Sequence, residues 1–100
     1  MNDTTRIIAD VVMRISMLYG VSPHVLMDKS KQRHVCEARY IAYTYLHYEI
    51  GLSSIKIGKY FNRSRFNVLR GIRILRGWMG YHTETKTKVE SIINTLKGGD

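Results

Sequence analysis

Residues 53–76 read SSIKIGKYFNRSRFNVLRGIRILR, and this stretch decides the fold. Apolar residues recur there at three- and four-residue steps on both sides of a short polar break, which predicts two helices, about 54–61 and 64–76. Helices joined so tightly cross steeply, which requires a small residue at the crossing, a residue that tolerates positive φ in the turn and a branched apolar anchor in the second helix. Gly58, Asn62 and Val68 meet these requirements at the spacing of a helix-turn-helix motif.

The charge of this stretch has one sign. No Asp or Glu lies between Glu49 and Glu84, whereas seven of the chain's sixteen Lys and Arg residues do: Lys56, Lys59, Arg63, Arg65, Arg70, Arg73 and Arg76. The second helix cannot bury unpaired guanidinium groups because their desolvation is too costly, so these groups face water or a negative partner. Ser64 is a good N-cap, and the helix start would present free backbone N–H groups to a phosphate. A solvated basic face on an ordinary bundle is the alternative interpretation.

Helical periodicity continues on both sides. We expect a first helix from Asp3 to Gly20, a short helical turn after Ser22-Pro23, a basic loop at about 28–33, a third helix from Val35 to Gly51, a break at 77–81 and a last helix at about 83–97. Strand-like alternation is missing. The predicted fold class is therefore all-α, a five- to six-helix bundle containing a helix-turn-helix, with residues 1–100 forming a single domain.

The composition agrees with a folded basic domain. Hydrophobic residues make up 44% of the chain, enough for a core, and the formal net charge is +8. Such a charge recruits polyanions, with nucleic acid first, an acidic membrane second and an acidic protein third. Arg6, Asp10 and Arg14 interrupt the N-terminal apolar residues, so we expect neither a signal peptide nor membrane binding. Cys36 is the single cysteine, which favours a reducing, cytoplasmic compartment.

Two segments resemble the C-terminal DNA-binding domain of the bacterial replication initiator DnaA, a helical domain with a Trp-repressor-like fold. VCEARYIAYTYLHYEIG at 35–51 is similar to the family's Arg-containing helix. IGKYFNRSRFNVLRGIRIL at 57–75 is similar to its signature, in which Ile-Gly, Phe, Asn or Gly, Arg, Asp-His, two hydroxyl residues and Val follow one another. The chain has no Gly-rich phosphate-binding loop with Lys and Ser or Thr, so it looks like a stand-alone version without the ATPase module, of the kind a phage or mobile element would carry.

The resemblance implies a function. A protein of this family binds double-stranded DNA, with the second helix of the motif in the major groove and a basic loop near the minor groove. Its role would lie in DNA replication or transcription regulation, in the bacterial cytoplasm and in association with the nucleoid. The resemblance also implies a monomer at each site, so we expect a monomer or a weak dimer.

The chain departs from the family signature at the start of the second helix. Where the family has Asp-His and two hydroxyl residues, this chain has Ser64, Arg65, Phe66 and Asn67. Side chains at these positions of a recognition helix reach base edges, so these four residues are the expected base contacts. Arg65 would pair with guanine O6 and N7, Asn67 with adenine, and Phe66 would rest against a thymine methyl group. The family's own target sequence therefore does not carry over.

The other cations are expected to contact the backbone, which positions a protein without reading sequence. The expected phosphate contacts are Lys56, Lys59, Arg63, Arg70 and Arg73. Arg39 aligns with the Arg of the family's third helix and joins this set, with a surface ion pair to Glu37 or Glu49 as the alternative. Lys29, Lys31 and Arg33 form the loop expected near the minor groove.

No other constellation predicts chemistry. Catalytic carboxylate pairs, Ser-His-Asp sets and activated cysteines do not emerge, so we expect no catalytic residues, no enzyme activity, no cofactor and no small-molecule substrate. His34 and Cys36 are two apart on a helix and face different ways, so no metal site is expected. The alternative function is a protein-interaction module that keeps the initiator-like scaffold and binds an acidic replication or transcription protein.

Overall fold

A computed structural model describes residues 3–98, and within that range the fold is all-α, as predicted. Six helices follow in order: α1 Asp3–Tyr19, α2 Pro23–Met27, α3 Arg33–Thr44, α4 Ser54–Phe61, α5 Arg65–Tyr81 and α6 Thr83–Leu96, with a π-helical turn at Tyr45–Glu49. None of these described helices is both long and apolar enough to span a membrane.

The central helix is α3, which packs against α1, α2 and α5. Its residues 35–39 are all buried. The Tyr43 ring lies edge-on to Phe61 of α4, with ring centroids 5.0 Å apart. Gly71 lets α5 approach closely, because a Cβ atom there would lie 2.6 Å from Cδ1 of Tyr40. This crossing fixes how α5 is presented to solvent.

The turn between α4 and α5 has the predicted geometry. Asn62 adopts the left-handed conformation, with φ 57° and ψ 47°. A side chain at Gly58 would collide with the carbonyl oxygen of Arg63, so the small residue is required at this position. Val68 is fully buried and anchors α5. Ser64 caps α5, since its Oγ accepts a hydrogen bond from the Asn67 N–H at 3.1 Å. The predicted roles of Gly58, Asn62 and Val68 are confirmed.

The expected third helix is wrong only in the pitch of its last turn. The α-helix ends at Thr44, and Tyr45–Glu49 wind as a π-helical turn in which Ile50 N–H donates to the Tyr45 carbonyl oxygen at 3.1 Å. The wider turn keeps both Tyr45 and Leu46 in the core. The Tyr45 hydroxyl donates to the Leu96 carbonyl oxygen at 3.0 Å and so ties this turn to the end of α6.

The expected break at 77–81 is also wrong, because α5 continues through Gly77 and Gly80 to Tyr81. The Trp78 ring packs 5.8 Å from that of Tyr40, which extends the contact between α5 and α3 by two turns beyond Gly71. The chain instead leaves the helix at His82, which has an extended conformation.

A buried carboxylate joins α1, α3 and α6. Glu37 is 6% exposed, its Oε2 accepts a hydrogen bond from the Tyr19 hydroxyl, and Nζ of Lys88 lies 3.0 Å from the same oxygen. Burial, together with the Glu37 carboxylate, raises the pKa of Tyr19 well above its usual range. The three side chains hold the helices together through a neutralised charge.

Candidate nucleic-acid interface

The first turn of α5 is exposed to solvent. Ser64, Arg65, Phe66 and Asn67, the four expected base contacts, are all exposed. Phe66 is 68% exposed, and the Arg65 guanidinium carbon lies 4.9 Å from the centroid of its ring. Because an exposed aromatic side chain contributes nothing to the core, this turn offers a mixed cationic, aromatic and amide surface to a partner.

The basic loop is short and shaped by its own side chains. The Ser30 N–H donates to Oδ1 of Asp28 at 2.7 Å, and the Gln32 N–H donates to Oγ of Ser30 at 3.2 Å. Such local bonds replace regular secondary structure in a loop. They leave Lys29 and Lys31 exposed.

The loop and the motif open onto one cavity of about 290 Å³. It is lined by Lys29, Lys31, Cys36, Arg39, Tyr40, Asn62, Arg63 and Asn67. The two loop lysines and one expected base contact, Asn67, therefore border the same space. The structure brings together two parts of the predicted site that are more than thirty residues apart in sequence.

Arg39 is not available to a phosphate, which corrects the expectation. Its side chain is 5% exposed, and its guanidinium donates to backbone carbonyls. Nε bonds Leu26 O at 2.9 Å, Nη2 bonds Asp28 O at 2.7 Å and Nη1 bonds Ser30 O at 3.4 Å. A buried guanidinium is tolerated only when its donors are satisfied in this way. Arg39 is therefore a structural residue that holds the loop.

The ion pairs considered for Arg39 do not form either. Glu37 pairs with Lys88 at 3.0 Å, and Glu49 pairs with Lys97 at 3.5 Å. The acidic group nearest the Arg39 guanidinium is instead Asp28, whose Oδ1 lies 3.9 Å from Nη2.

Arg63 is half-buried and faces the protein. Nη1 donates to Met27 O at 3.2 Å and to Phe61 O at 3.0 Å, while Nη2 donates to Asp28 O. These bonds do not fit the expected phosphate contact, because the guanidinium donors point at carbonyls of the same chain.

Arg33 does not belong to the loop as expected. It is the first residue of α3, and its guanidinium carbon lies 3.6 Å from the centroid of the Trp78 ring. A guanidinium is attracted to the face of an indole ring, which accounts for this placement. The basic loop itself therefore carries two lysines, and Arg33 is an exposed cation next to it at the start of α3.

The remaining expected phosphate contacts, Lys56, Lys59, Arg70 and Arg73, are exposed. Lys59 lines a shallow cavity beside the turn, together with Gly58, Asn62, Arg63 and Ser64. Lys56 and Lys59 also border a second cavity, toward α1. With Lys29 and Lys31, these four residues make six exposed cations around the motif.

Sequence reasoning missed the inward orientation of Arg39 and the place of Tyr40 in the cavity. A signal for Arg39 existed, because positions 35, 39, 42 and 46 follow helical spacing and Arg39 falls on the apolar stripe of α3. No comparable signal existed for Arg63, whose acceptors Asp28 O and Met27 O precede it by 35 and 36 residues.

No protein-family model matches the chain. Within residues 3–98, no group of three His, Cys, Asp or Glu side chains is placed to hold a metal ion.

Proposed function

We propose that the chain binds double-stranded DNA, with the first turns of α5 in the major groove and the loop at 28–32 beside the adjacent minor groove. One observation carries this proposal: Lys29 and Lys31 of the loop and Asn67 of α5 border one cavity. A phosphate backbone separates the two grooves of a duplex. A protein that contacts both grooves must span that backbone, and here the two loop lysines supply positive charge for it while Asn67 borders the same space from α5.

The exposed residues divide by chemistry. Arg65, Phe66 and Asn67, with Ser64, are proposed to contact base edges, since they lie in the first turn of an exposed helix. The six exposed cations Lys29, Lys31, Lys56, Lys59, Arg70 and Arg73 are proposed to contact phosphates. The resemblance of residues 57–75 to the initiator signature supports a role in DNA replication or transcription regulation without catalysis.

The first test is selection of bound sequences from a random duplex library at a stated salt concentration. A single asymmetric motif is expected for a monomer, whereas two half-sites about 10 base pairs apart would indicate a dimer. Fluorescence anisotropy on the selected duplex should then show log affinity falling with log salt at a slope of about −5, from six phosphate contacts. A flat response between low and moderate salt contradicts DNA binding.

Two substitutions separate base reading from charge. Arg65→Ala should cost about 1 to 3 kcal/mol on the selected duplex and relax the preference at one base pair. Lys59→Ala should weaken all duplexes alike and reduce the salt slope by about 1. If neither change affects DNA retention but both abolish capture of an acidic protein, the chain is a protein-interaction module instead.

A further inference from the structure

The turn of the motif is joined to the basic loop by one side chain, that of Arg63. Its guanidinium donates to Phe61 O at the end of α4, to Met27 O at the end of α2 and to Asp28 O at the start of the loop. The last of these bonds spans 35 residues of sequence. A rigid, planar donor group is well suited to hold several acceptors in one fixed arrangement.

Arg39 also holds the start of the loop. Its Nη2 donates to Asp28 O, the carbonyl oxygen that also accepts from Arg63. A carbonyl oxygen has two lone pairs and can accept both bonds. The start of the loop is therefore fixed to α3 through Arg39 and to the turn before α5 through Arg63.

We infer that Arg63 is a positioning residue that sets the basic loop at a fixed place relative to the first turn of α5, so that the two groove contacts form as one unit. This inference rests on the proposed DNA binding. A loop that is already ordered does not pay the entropy of ordering when it binds. Loss of the Arg63 hydrogen bonds should therefore weaken DNA binding, although Arg63 itself touches no phosphate.

A positioning role and a phosphate contact for Arg63 predict different effects of a lysine at this position. Lysine keeps the positive charge and binds phosphate well as a point charge. It lacks the planar fork and cannot reproduce the three-carbonyl arrangement that Arg63 makes. Arg63→Lys therefore separates a role in positioning from a role in charge.

The test is anisotropy on the duplex selected for the wild-type chain. Arg63→Lys is expected to lower the affinity at least about fivefold, the lower end of typical couplings between sites, and to leave the salt slope unchanged. Arg6→Lys is the matched control, because Arg6 is exposed on α1 and is not part of the proposed DNA surface. It should bind within about twofold of wild type.

A second measurement separates positioning from general stability. Lys31→Ala should cost less affinity in the Arg63→Lys background than in wild type, because the loop is no longer held at its place. Arg73→Ala should cost the same in both backgrounds. Hydrogen exchange should become faster at the amides of residues 29–32 and stay unchanged in α1 and α6.

Three results would overturn the inference. Wild-type affinity in Arg63→Lys, with a lower salt slope in Arg63→Ala, would show a phosphate contact. A lower thermal midpoint with unchanged affinity of the folded protein and additive Lys31→Ala effects would show a purely structural role. If the wild-type chain binds no duplex, the proposed function fails and this inference fails with it, a result distinct from normal DNA binding by Arg63→Lys.

Discussion

One Phe and one Arg lie just before Ser64 and another such pair lies just after it, and the two pairs have opposite orientations. Phe61 and Arg63 come before α5 and face the protein, where Phe61 is 2% exposed and Arg63 bonds three carbonyls. Arg65 and Phe66 come just after the turn and face solvent, with Phe66 68% exposed. Residue type alone therefore does not decide whether a Phe or an Arg near this turn is buried or exposed. The available acceptors and the packing around each position decide whether a side chain builds the scaffold or meets a partner.

The largest contrast is expected between the chain's two phenylalanines. Phe61→Ala should lower the free energy of unfolding by about 3 to 5 kcal/mol, because it opens a cavity beside Tyr43. Phe66→Ala should change it by less than about 0.5 kcal/mol and should weaken DNA binding. Urea unfolding and anisotropy measure the two effects. A large loss of stability in Phe66→Ala would mean that this ring belongs to the core and would remove it from the proposed interface.

The same contrast applies to arginines. Arg39→Ala should destabilise the fold by about 1 to 3 kcal/mol, because it leaves the buried carbonyl oxygen of Leu26 without its side-chain donor and removes one of the two donors to Asp28 O. The exposed Arg73 supplies the control, and Arg73→Ala should stay within about 0.5 kcal/mol of wild type in the same urea titration. Equal stability of the two variants would show that the Arg39 guanidinium does not hold the loop.

Two glycines of α5 allow the same comparison, because Gly71 is tightly packed and Gly77 has open space around it. Gly71→Ala should cost about 1 to 3 kcal/mol, since the added Cβ meets the Tyr40 and Tyr43 rings. Gly77→Ala adds the same methyl group to the same helix, where nothing lies within 4 Å, and should stabilise it by about 0.5 to 1 kcal/mol. Thermal unfolding tests both. A stabilising Gly71→Ala would show that α5 does not need this close crossing.

The last contrast, between a buried and an exposed tyrosine hydroxyl, appears only at high pH. Burial raises the pKa of Tyr43 to about 12, against the opposing guanidinium groups of Arg63 and Arg39. Because an unfolded tyrosine ionises near pH 10, the stability that Tyr43 contributes is complete below pH 10 and is lost as the pH rises toward 12. Tyr43→Phe should flatten the loss of stability between pH 10 and 12.

Tyr81→Phe is the control for the alkaline experiment, since Tyr81 is 87% exposed. It should follow the wild-type curve of unfolding free energy against pH. If Tyr43→Phe also follows that curve, burial of the Tyr43 hydroxyl does not contribute to the alkaline loss of stability.

The sequence alone was enough to predict the features that depend only on neighbouring residues. The roles of Gly58, Asn62 and Val68 follow from backbone conformation within one turn and its flanking helices, and all three are confirmed. Serine caps and the short helix after Pro23 are equally local. The all-α class follows from periodicity, which each helix carries in its own residues.

The sequence was insufficient where a side chain meets a distant partner. Arg63 bonds a loop that precedes it by 35 residues, and Arg33 stacks on a tryptophan 45 positions later, so neither placement has a local pattern. The two glycines at 77 and 80 indicated a break, but packing of Trp78 on Tyr40 outweighs their low helix propensity. The candidate site therefore kept its exposed members and lost Arg39 and Arg63 to the scaffold, while Arg33 stays exposed but lies in the first turn of α3 instead of the loop.

The buried carboxylate of Glu37 has a consequence for dividing this chain. Its neutralising cation, Lys88, comes from α6, on the opposite side of His82 from the motif. A fragment cut at His82 would keep every residue of the proposed DNA surface and yet leave an anion in its interior without a counter-charge. Lys88 of the last helix is thus the counter-charge of Glu37, and a fragment that keeps the proposed DNA surface has to include this helix.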